Sequence, residues 1–254
     1  MSQFFFATAA KSAVGIVRAG NEDSALTSKN LVAVADGMGG HAGGEVASKI
    51  AITTLAKNIT QFVNPDDIHL LYESIIQSIE KEIHWAGMEE PDLAGLGTTL
   101  SALFLHQSCA TMIHVGDSRI YRLRGNALEQ MTHDHTVIQQ LLDSGTLSPE
   151  EIANHPQRSV LTHVLMGEGE NGVVLNTIDA RADDRFILCS DGLTNVLSDK
   201  EIKTLVKDKP RGAAVDALIE ATYAAGAPDN VTVIVADLLG NDIQEPITML
   251  GAAQ

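Results

Sequence analysis

Four aspartates stand at the ends of apolar runs that are rich in valine, isoleucine and leucine and have the length of β-strands. They are Asp36 after Leu31 to Ala35, Asp117 after Met112 to Gly116, Asp191 after Phe186 to Ser190, and Asp229 before Val231 to Val235. A carboxylate at the rim of an apolar core is costly, and several carboxylates close together repel one another. A fold that gathers these strand ends therefore has to bring positive charge to them.

Divalent cations are a natural source of that charge, because no lysine or arginine closely adjoins Asp36, Asp191 or Asp229 in the sequence. A site made only of oxygen ligands favours Mg²⁺ or Mn²⁺ over Zn²⁺. The alternative for each aspartate, taken alone, is that it caps a helix or starts a turn. Three of the four adjoin a glycine, as expected where backbone approaches a ligand closely. The three pairs are Asp36 with Gly37, Gly116 with Asp117, and Asp191 with Gly192.

Asp36 also opens the glycine-rich segment Asp36-Gly-Met-Gly-Gly-His41, which leads into a helix predicted from Gly44. A glycine-rich turn at the start of a helix can hold a phosphate group. The sequence contains neither a GxGxxG segment nor a GxxxxGK[ST] loop. Nucleotide binding by those two routes is therefore not supported.

The order of the predicted elements favours an α+β domain. The predicted strands are 31–35, 99–105, 111–115, 119–123, 173–178, 185–189 and 231–236. The predicted helices are 44–62, 66–85, 134–144, 198–206 and 210–224. Because strands and helices do not alternate regularly, sheets packed between helices are favoured over a doubly wound parallel sheet. No long linker divides the 254 residues, so we expect one domain over residues 1–240 and a C-terminal tail over residues 241–254.

The formal net charge of −16 argues against nucleic acid as a partner, because a polyanion would be repelled and no basic stripe is present. Either the acidity keeps the protein soluble, or some of the carboxylates hold cations. The two cysteines, Cys109 and Cys189, lie in apolar runs without metal-binding spacing, so we expect buried, reduced thiols.

No apolar stretch approaches the roughly 18 residues of a membrane-spanning helix. The run Phe4 to Phe6 is too short for the apolar part of a signal peptide and has no basic flank. We therefore expect a cytoplasmic protein.

Six short motifs occur in the order that marks the type 2C metal-dependent protein phosphatases, and together they extend over nearly the whole chain. They are Arg18-Ala-Gly-Asn-Glu-Asp23, Asp36-Gly-Met-Gly-Gly40, Gly97-Thr-Thr99, Val115-Gly-Asp-Ser-Arg119, Ser190-Asp-Gly-Leu193 and Asp229-Asn-Val-Thr232. Any one motif is weak evidence, but six in order make an accidental match very improbable. The chain most resembles compact bacterial members, which carry Asp-Gly-Met-Gly-Gly where the eukaryotic branch has Asp-Gly-His-Gly-Gly.

The resemblance implies a four-layered α-β-β-α sandwich with a binuclear metal site at one end of the two central sheets. It implies that Asp36 bridges two Mn²⁺ or Mg²⁺ ions and that the Gly37 carbonyl completes one of them. Asp191 and Asp229 would ligate the other ion.

Two further aspartates match family positions near these core ions. Asp117, together with Asp191, matches the place of a third, weaker ion in bacterial members. Asp23 is similar to an outer-shell ligand that holds a metal-bound water.

The same resemblance implies hydrolysis of phosphoserine and phosphothreonine by a metal-activated water, without a phosphoenzyme. Arg18 matches the phosphate-binding arginine of the family, and its planar guanidinium suits two phosphoryl oxygens at once. The alternative is a surface ion pair between Arg18 and Glu22.

The leaving alkoxide needs a proton, and Met38, which replaces the histidine of the eukaryotic branch, cannot supply one. His41 is the nearest titratable candidate for the general acid. One alternative is that His41 is a structural histidine at the helix entrance. Another is that a metal-bound water acts as the acid.

Residues 134–172 carry scattered glycine, proline and histidine with weak strand signals, which indicates an insertion beside the main body. The resemblance identifies this segment with the variable flap, which lies beside the cleft in bacterial members. His133-Asp134-His135 has a spacing that metal sites use. A comparable Asp-His in the family is structural, and we favour that role here.

The resemblance implies phosphorylated proteins as substrates and an opposing serine/threonine kinase. A pseudophosphatase or regulatory binding module of the same fold is an alternative, but it would be marked by missing metal carboxylates, and Asp36, Asp191 and Asp229 are all present. A small-molecule phosphomonoesterase is a third alternative, because the chemistry of its site would be identical. We expect a monomer that binds neither nucleic acid nor membrane.

Overall fold

Two antiparallel β-sheets form the centre of the protein in a computed structural model that describes residues 4–40, 42–58, 68–106, 109–148, 151–152, 155–169 and 171–254. Within these residues the first sheet contains β1 (Phe5–Ala13), β7 (Arg119–Arg124), β8 (Ala127–Gln130), β10 (Arg185–Cys189) and β11 (Val231–Leu239). The second sheet contains β2 (Asp23–Thr27), β3 (Leu31–Met38), β4 (Gly97–Thr98), β5 (Leu100–His106), β6 (Cys109–Val115), β9 (Val174–Asp179) and β12 (Thr248–Gly251). The strand orders are β1-β11-β10-β7-β8 and β12-β2-β3-β5-β6-β9, and β4 pairs with β3.

Helices cover the outer faces of both sheets. The helices are α1 (Gly43–Asn58), α2 (Ile68–Glu89), α3 (Val137–Asp143), α4 (Asp191–Thr194), α5 (Asp199–Val206) and α6 (Arg211–Ala224). Buried side chains of α1 and α2 pack on the second sheet, and those of α5 and α6 pack on the first. A third apolar layer fills the space between the sheets. The four-layered α-β-β-α sandwich implied by the resemblance is confirmed.

Strand β3 explains why the central strands are unbroken apolar runs. Val32 and Val34 pack between the two sheets, whereas Leu31, Ala33 and Ala35 pack on the side of α1 and α2. Because side chains alternate between the faces of a strand, a strand buried on both faces has room for polar groups only near its ends. The acidic residues of the sequence patterns are consequently found at one edge of the apolar layers.

Several elements differ from those predicted. Strands β1, β2, β4, β8 and β12 and the short helix α4 were not among the predicted elements, because most of their residues are small or polar and give a weak apolar pattern. Helix α2 continues to Glu89, four residues beyond its predicted end. Helix α1 ends at Asn58 among the described residues, and the predicted continuation to residue 62 lies outside them.

The last residues of the chain belong to the second sheet. The segment 241–254, predicted to be a tail, contains β12, in which Met249 pairs with Leu26 of β2. Beyond the strand, the Ala252 N–H donates to the carbonyl of Asp23 at 2.8 Å. This segment therefore supports the start of β2, where one of the predicted site aspartates lies.

The insertion at 134–172 is joined to the second sheet by backbone pairing. Thr98 and Leu165 form an antiparallel bridge, and a second bridge within the insertion joins Thr136 to Leu161. Helix α3 begins at an N-cap, where the Thr136 hydroxyl accepts a hydrogen bond from the Gln139 N–H at 3.1 Å. The insertion thus lies against the edge of the second sheet that carries Thr98.

The two cysteines have different surroundings. Cys189 is buried, and burial raises the pKa of its thiol to about 12. Cys109 is exposed at the start of β6, so the prediction of a buried thiol is wrong at this position. Both thiols are free.

Among the described helices, none is long and apolar enough to span a bilayer.

Candidate metal centre and active site

Asp36 lies inside β3 rather than after the end of the strand as predicted. The strand continues because Gly37 and Met38 pair with Thr98 and Gly97 of β4. The Asp36 N–H donates to Thr99 Oγ1 at 3.0 Å, and its carbonyl accepts from the Thr99 N–H at 2.9 Å. The backbone that carries the carboxylate is therefore held on both of its polar groups.

Gly37 allows helix α1 to start directly against β3. A side chain at Gly37 would overlap the carbonyl oxygen of Gly44, and a side chain at Gly44 would meet the Gly37 backbone in return. The Gly37 N–H donates to the carbonyl of Glu22 at 3.1 Å. Only glycine at both positions permits this close approach. The role of the Gly37 carbonyl as a metal ligand remains a prediction.

Asp23 faces Asp36 across the pairing of β2 and β3. It is fully buried, and the Ser190 hydroxyl donates to its Oδ2 at 2.7 Å. The Ser190 oxygen in turn accepts the Thr232 N–H at 3.0 Å. Asp23 Oδ1 is buried without a hydrogen-bond partner among the residues that the structure describes. The two sheets are thus joined through Ser190 beneath the site, and one carboxylate oxygen is left for a ligand.

Asp191 is the first residue of α4 and lies beside Asp36. The negative charge of Asp191 is among those that raise the pKa of Asp36. The Asn195 side-chain amide donates to Asp191 Oδ2 at 2.9 Å one helical turn later. A helix that begins at the end of β10 therefore turns this carboxylate toward β3 of the other sheet.

Asp229 and Arg18 meet at the open side of the site. Arg18 Nη2 donates to Asp229 Oδ2 at 2.7 Å, while its Nη1 lies 4.0 Å from Glu22 Oε2. The ion pair with Glu22 that was the alternative for Arg18 is therefore the longer of two contacts, and residues 18–22 are not helical. The guanidinium stands next to a predicted metal ligand.

Asn230 fastens the loop that carries Arg18. Its side-chain amide donates to the carbonyls of Val14 and Gly20 at 2.8 and 2.9 Å, and its Oδ1 accepts the Glu22 N–H at 2.8 Å. The Asn230 N–H donates to Asp229 Oδ1 at 2.8 Å. One buried side chain thereby sets the position of the whole 14–22 loop relative to Asp229.

Asp117 lies in the turn between β6 and β7. Its neighbour Ser118 shares a hydrogen bond of 2.8 Å with the Thr99 hydroxyl, the same hydroxyl that holds Asp36. Arg119, two residues after Asp117, forms an ion pair with Asp134, with Nη2 2.6 Å from Oδ2. Asp117 is consequently attached to the site through Thr99.

The carboxylates of the site raise one another's pKa values. The pKa of Asp36 lies well above its ordinary value because of burial first and then the charges of Asp23 and Asp191. Burial raises the pKa of Asp23 to about 7 and that of Asp117 to about 8, and the charge of Asp191 adds to both. The pKa of Asp191 is raised by burial and by the charge of Asp229. This is the repulsion that the sequence pattern led us to expect.

The donor set of the site suits hard divalent cations. All the predicted ligands offer oxygen, which Mg²⁺ and Mn²⁺ prefer, and the unpartnered Asp23 Oδ1 adds a buried acceptor. Among the described residues, no three Asp, Glu, His or Cys side chains converge closely enough to enclose a metal ion by themselves. The oxygen chemistry of the donors, rather than a closed cluster of side chains, is therefore what fits a divalent cation.

The remaining predicted site residues are less central. His41, the candidate general acid, lies outside the described residues. His133 Nε2 forms a 2.7 Å hydrogen bond with Asp143 at the surface. The imidazole Nδ1 of His135 accepts a hydrogen bond from the Gly116 N–H at 3.3 Å, and the backbone N–H of His135 donates to the Gly116 carbonyl at 2.8 Å. These contacts support the structural role that we favoured for the tripeptide.

Three residues of the site were not among the candidates from sequence. Ser190 and Thr232 join the sheets beneath Asp23, and Asn230 holds the loop of Arg18. Each adjoins a predicted aspartate or lies in its motif, so a polar residue beside an apolar strand end was the available signal. Their partners are distant in sequence and could not be read from spacing.

Known proteins resemble this chain over most of its length. The family model described as protein phosphatase 2C matches residues 20–233. The serine/threonine protein phosphatase PstP of Mycobacterium tuberculosis is 41% identical over 245 residues, which cover 96% of this chain and 47% of PstP. The serine/threonine phosphatase stp of Listeria monocytogenes is 36% identical over 232 residues, with 88% of this chain and 92% of stp covered. The chain thus spans about half the length of PstP.

Solved structures agree with the sequence comparison. The crystal structure of M. tuberculosis PstP/Ppp superposes with a TM-score of 0.87 at 42% identity and covers 92% of this chain and 98% of its own. The PstP catalytic domain in complex with two manganese ions has a TM-score of 0.86 at 39% identity, with 93% and 99% covered.

We predict that the metal-free protein loses stability as the pH rises. Raised folded-state pKa values mean that the folded state binds more protons than the unfolded state, whose aspartates titrate near about 3.9. The free energy of unfolding should therefore fall from about pH 4 to pH 8, since Asp23 and Asp117 titrate at about 7 and about 8. Thermal melts in chelator and in saturating Mn²⁺ measure this, and we expect a smaller fall with Mn²⁺.

The substitution Asp191→Asn isolates the contribution of one charge. At pH 8 in chelator it should raise the melting temperature by roughly a few degrees, because it removes a repulsive charge while its oxygen still accepts from Asn195. Asp208→Asn, at an exposed surface position, is the matched control and should leave the melt unchanged. If the melting temperature of the wild-type protein depends on pH equally with and without Mn²⁺, these carboxylates do not act together on a cation.

Proposed function

We propose that this chain is a metal-dependent protein serine/threonine phosphatase. It belongs to the protein phosphatase 2C family. The observation that supports this most is the meeting of Asp36, Asp191, Asp229 and Arg18 from distant parts of the chain at one end of the two sheets. The substrates would be phosphoserine and phosphothreonine in proteins.

The two core ions would be held by Asp36, the Gly37 carbonyl, Asp191 and Asp229. Bound divalent cations would supply Lewis acidity and a water acidic enough to act as a nucleophile near neutral pH. Mn²⁺ is supported by the manganese complex of the PstP catalytic domain, and Mg²⁺ by the oxygen-only donor set. Asp23, fixed by Ser190, would act as an outer-shell ligand through its unpartnered Oδ1.

Arg18 would bind the phosphoryl group. Its side chain is 48% exposed, and the neighbouring carboxylates of Asp229 and Glu22 raise its pKa, which keeps the guanidinium charged. The loop that carries it is fastened by Asn230, so little order has to be gained when substrate arrives. A planar guanidinium can donate to two phosphoryl oxygens while remaining beside Asp229.

The proton for the leaving alkoxide is proposed to come from His41, with a water on the cations as the alternative. Met38 lies in β3 next to Gly37 and has no proton to give. A histidine is suited to the task because its ordinary pKa lies near neutral pH.

A protein substrate is favoured over a small molecule by the surroundings of Arg18. Ile16 and Val17, which precede it, are 63% and 71% exposed in a loop whose backbone is fixed. Small-molecule sites usually bury most of their ligand, whereas Ile16 and Val17 leave an open apolar surface beside Arg18 that suits contact with a protein chain. A catalytic role is favoured over a pseudophosphatase because Asp36, Asp191 and Asp229 are all present.

We propose a cytoplasmic monomer that opposes a serine/threonine kinase and binds neither nucleic acid nor membrane. The net charge of −16 supports the absence of nucleic acid from its partners.

We predict that Asp36→Ala and Asp191→Ala nearly abolish hydrolysis of a phosphothreonine peptide at saturating Mn²⁺ while the fold stays intact. Each change removes a metal ligand and with it several kcal/mol of Lewis-acid stabilisation, or a factor of at least about a hundred in rate. Phosphate release with and without chelator measures the effect, and circular dichroism checks the fold. Asp242→Ala, a surface aspartate paired with Lys29, is the control. Retention of more than about a tenth of the activity in both variants would refute the metal assignment.

We predict that Arg18→Ala mainly raises KM for phosphopeptide, because the guanidinium holds phosphate about equally in the ground and transition states. Arg18→Lys should recover only part of the loss, since an ammonium is a point charge that cannot bind two oxygens side by side. Steady-state kinetics on all three proteins tests this, with the exposed Arg181→Ala as the control. Unchanged KM and kcat in Arg18→Ala would mean that the side chain does not contact phosphate.

We propose a third, weaker ion at Asp117 and Asp191, and we predict that Asp117→Ala lowers kcat mainly when Mn²⁺ is scarce. A cation held by few carboxylates and several waters binds weakly, so its loss should disturb the two core ions little. Calorimetric Mn²⁺ titrations of wild type and Asp117→Ala should differ by one weak site. Identical isotherms would contradict the third ion and leave Asp117 with a role in its turn.

A further inference from the structure

A cavity of about 380 Å³ lies between the C-terminal half of α2 and residues 167–169 and 171. Its lining includes Glu80 and His84 of the helix and Gly167, Glu168 and Asn171 of the loop. None of the predicted metal ligands lines it, so it is separate from the site described above. We call it the Glu80 cavity.

Glu80 is a buried carboxylate with one free oxygen. The residue is 6% exposed, and its Oε1 accepts a hydrogen bond from the Asn171 side-chain amide at 3.1 Å. Oε2 is buried and has no partner among the described residues. Neither Lys81 nor His84, the described basic residues of the lining, forms an ion pair with it. A buried acceptor in this state favours a ligand that brings an N–H donor.

The wall opposite Glu80 is fixed by close backbone packing. Gly167 has a φ of +80°, and a Cβ there would lie 2.7 Å from the Cα of His84. The loop backbone therefore rests directly on α2, which only glycine permits. A preformed wall of this kind lowers the cost of ordering when a ligand binds.

The Glu80 cavity lies within reach of the candidate active site. Leu165, two residues before Gly167, pairs with Thr98, and Thr98 pairs with Gly37. The two strand-to-strand steps from Gly37 to Thr98 and from Thr98 to Leu165 span at most about 10 Å. The two residues from Leu165 to Gly167 add at most about 7 Å. Gly167, on the wall of the cavity, is thus at most about 17 Å from Gly37, a distance that up to five residues of an extended peptide cover at about 3.3 Å per residue.

We propose that the Glu80 cavity binds a lysine or arginine side chain of the phosphoprotein substrate, three to five residues from the phosphorylated residue. The ammonium or guanidinium group donates to Glu80 Oε2, and Glu168 adds negative charge on the loop. The proposal rests on the proposed phosphatase activity and deepens it by assigning a substrate class. A basic side chain is favoured because the unpartnered atom is an acceptor and the protein carries a net charge of −16.

Paired phosphothreonine peptides test this assignment. Each pair carries a single lysine or, as an uncharged analogue of similar shape, norleucine, placed two to eight residues before or after the phosphothreonine. Wild type should show a KM at least about fivefold lower for the lysine peptide when the lysine stands three to five residues away on one side. More distant placements should show no preference.

The variant Glu80→Gln removes the charge and keeps the shape of the side chain. It should hydrolyse the lysine and norleucine peptides alike and retain the wild-type rate on p-nitrophenyl phosphate, which does not reach the cavity. Glu90→Gln, at an exposed position just beyond α2, is the matched control and should keep the lysine preference. Thermal melts check that Glu80→Gln is folded, and the wild-type comparison stands even if that variant is not.

The outcomes separate the cavity from the activity. Equal KM values for both peptides of every pair in wild type would overturn the cavity assignment and leave the phosphatase activity in place. A lysine preference that survives in folded Glu80→Gln would also overturn it, by locating the recognition elsewhere. Hydrolysis of p-nitrophenyl phosphate without hydrolysis of any phosphopeptide would overturn both the protein substrate and the cavity assignment.

Discussion

The mutual repulsion of buried carboxylates at one end of two packed sheets is the constraint on which the rest of this structure depends. Asp36 and Asp23 come from one sheet, and Asp191 and Asp229 lie beside strands of the other, so closing the sandwich brings like charges together. Burial and then the charges of the neighbouring aspartates raise the pKa of Asp36 well above its ordinary value. A cation at this end would therefore both create the chemistry and stabilise the closure of the two sheets.

Hydrogen bonds from uncharged side chains hold the acidic residues in place despite that repulsion. Ser190 links Asp23 to Thr232 across the sheets, and Thr99 holds Asp36 while its hydroxyl also contacts Ser118. Asn230 satisfies three backbone groups of the 14–22 loop with one buried amide. Each of these bonds is buried or partly buried, where a hydrogen bond is strong and an unpaired partner is costly. The site is consequently positioned before any ligand arrives.

How far the sequence predicted this arrangement depends on the kind of interaction. Asp36, Asp191 and Asp229 could be found because a strand buried on both faces admits polar side chains only near its ends, and this limit acts locally. Ser190 and Asn230 could not be found, because their partners lie up to 216 residues away and are set by how the sheets pack. Strands β2 and β12 were missed for a related reason: they are recognisable as strands only once they pair with each other and with β3.

The insertion at 134–172 is attached to the site at both of its ends. Near its start, His135 holds the Gly116 peptide, one residue from Asp117; near its end, Leu165 pairs with Thr98, which pairs with Gly37. Apart from the His135 imidazole, these contacts use backbone groups, so side chains between the two attachments can vary without moving the carboxylates. With the proposed function, a surface built in this way would adapt to different protein substrates while the carboxylates stay in place. Glu80 contacts the insertion through Asn171, beyond Leu165, where variation in the proposed phosphatase would change substrate recognition rather than the carboxylate site.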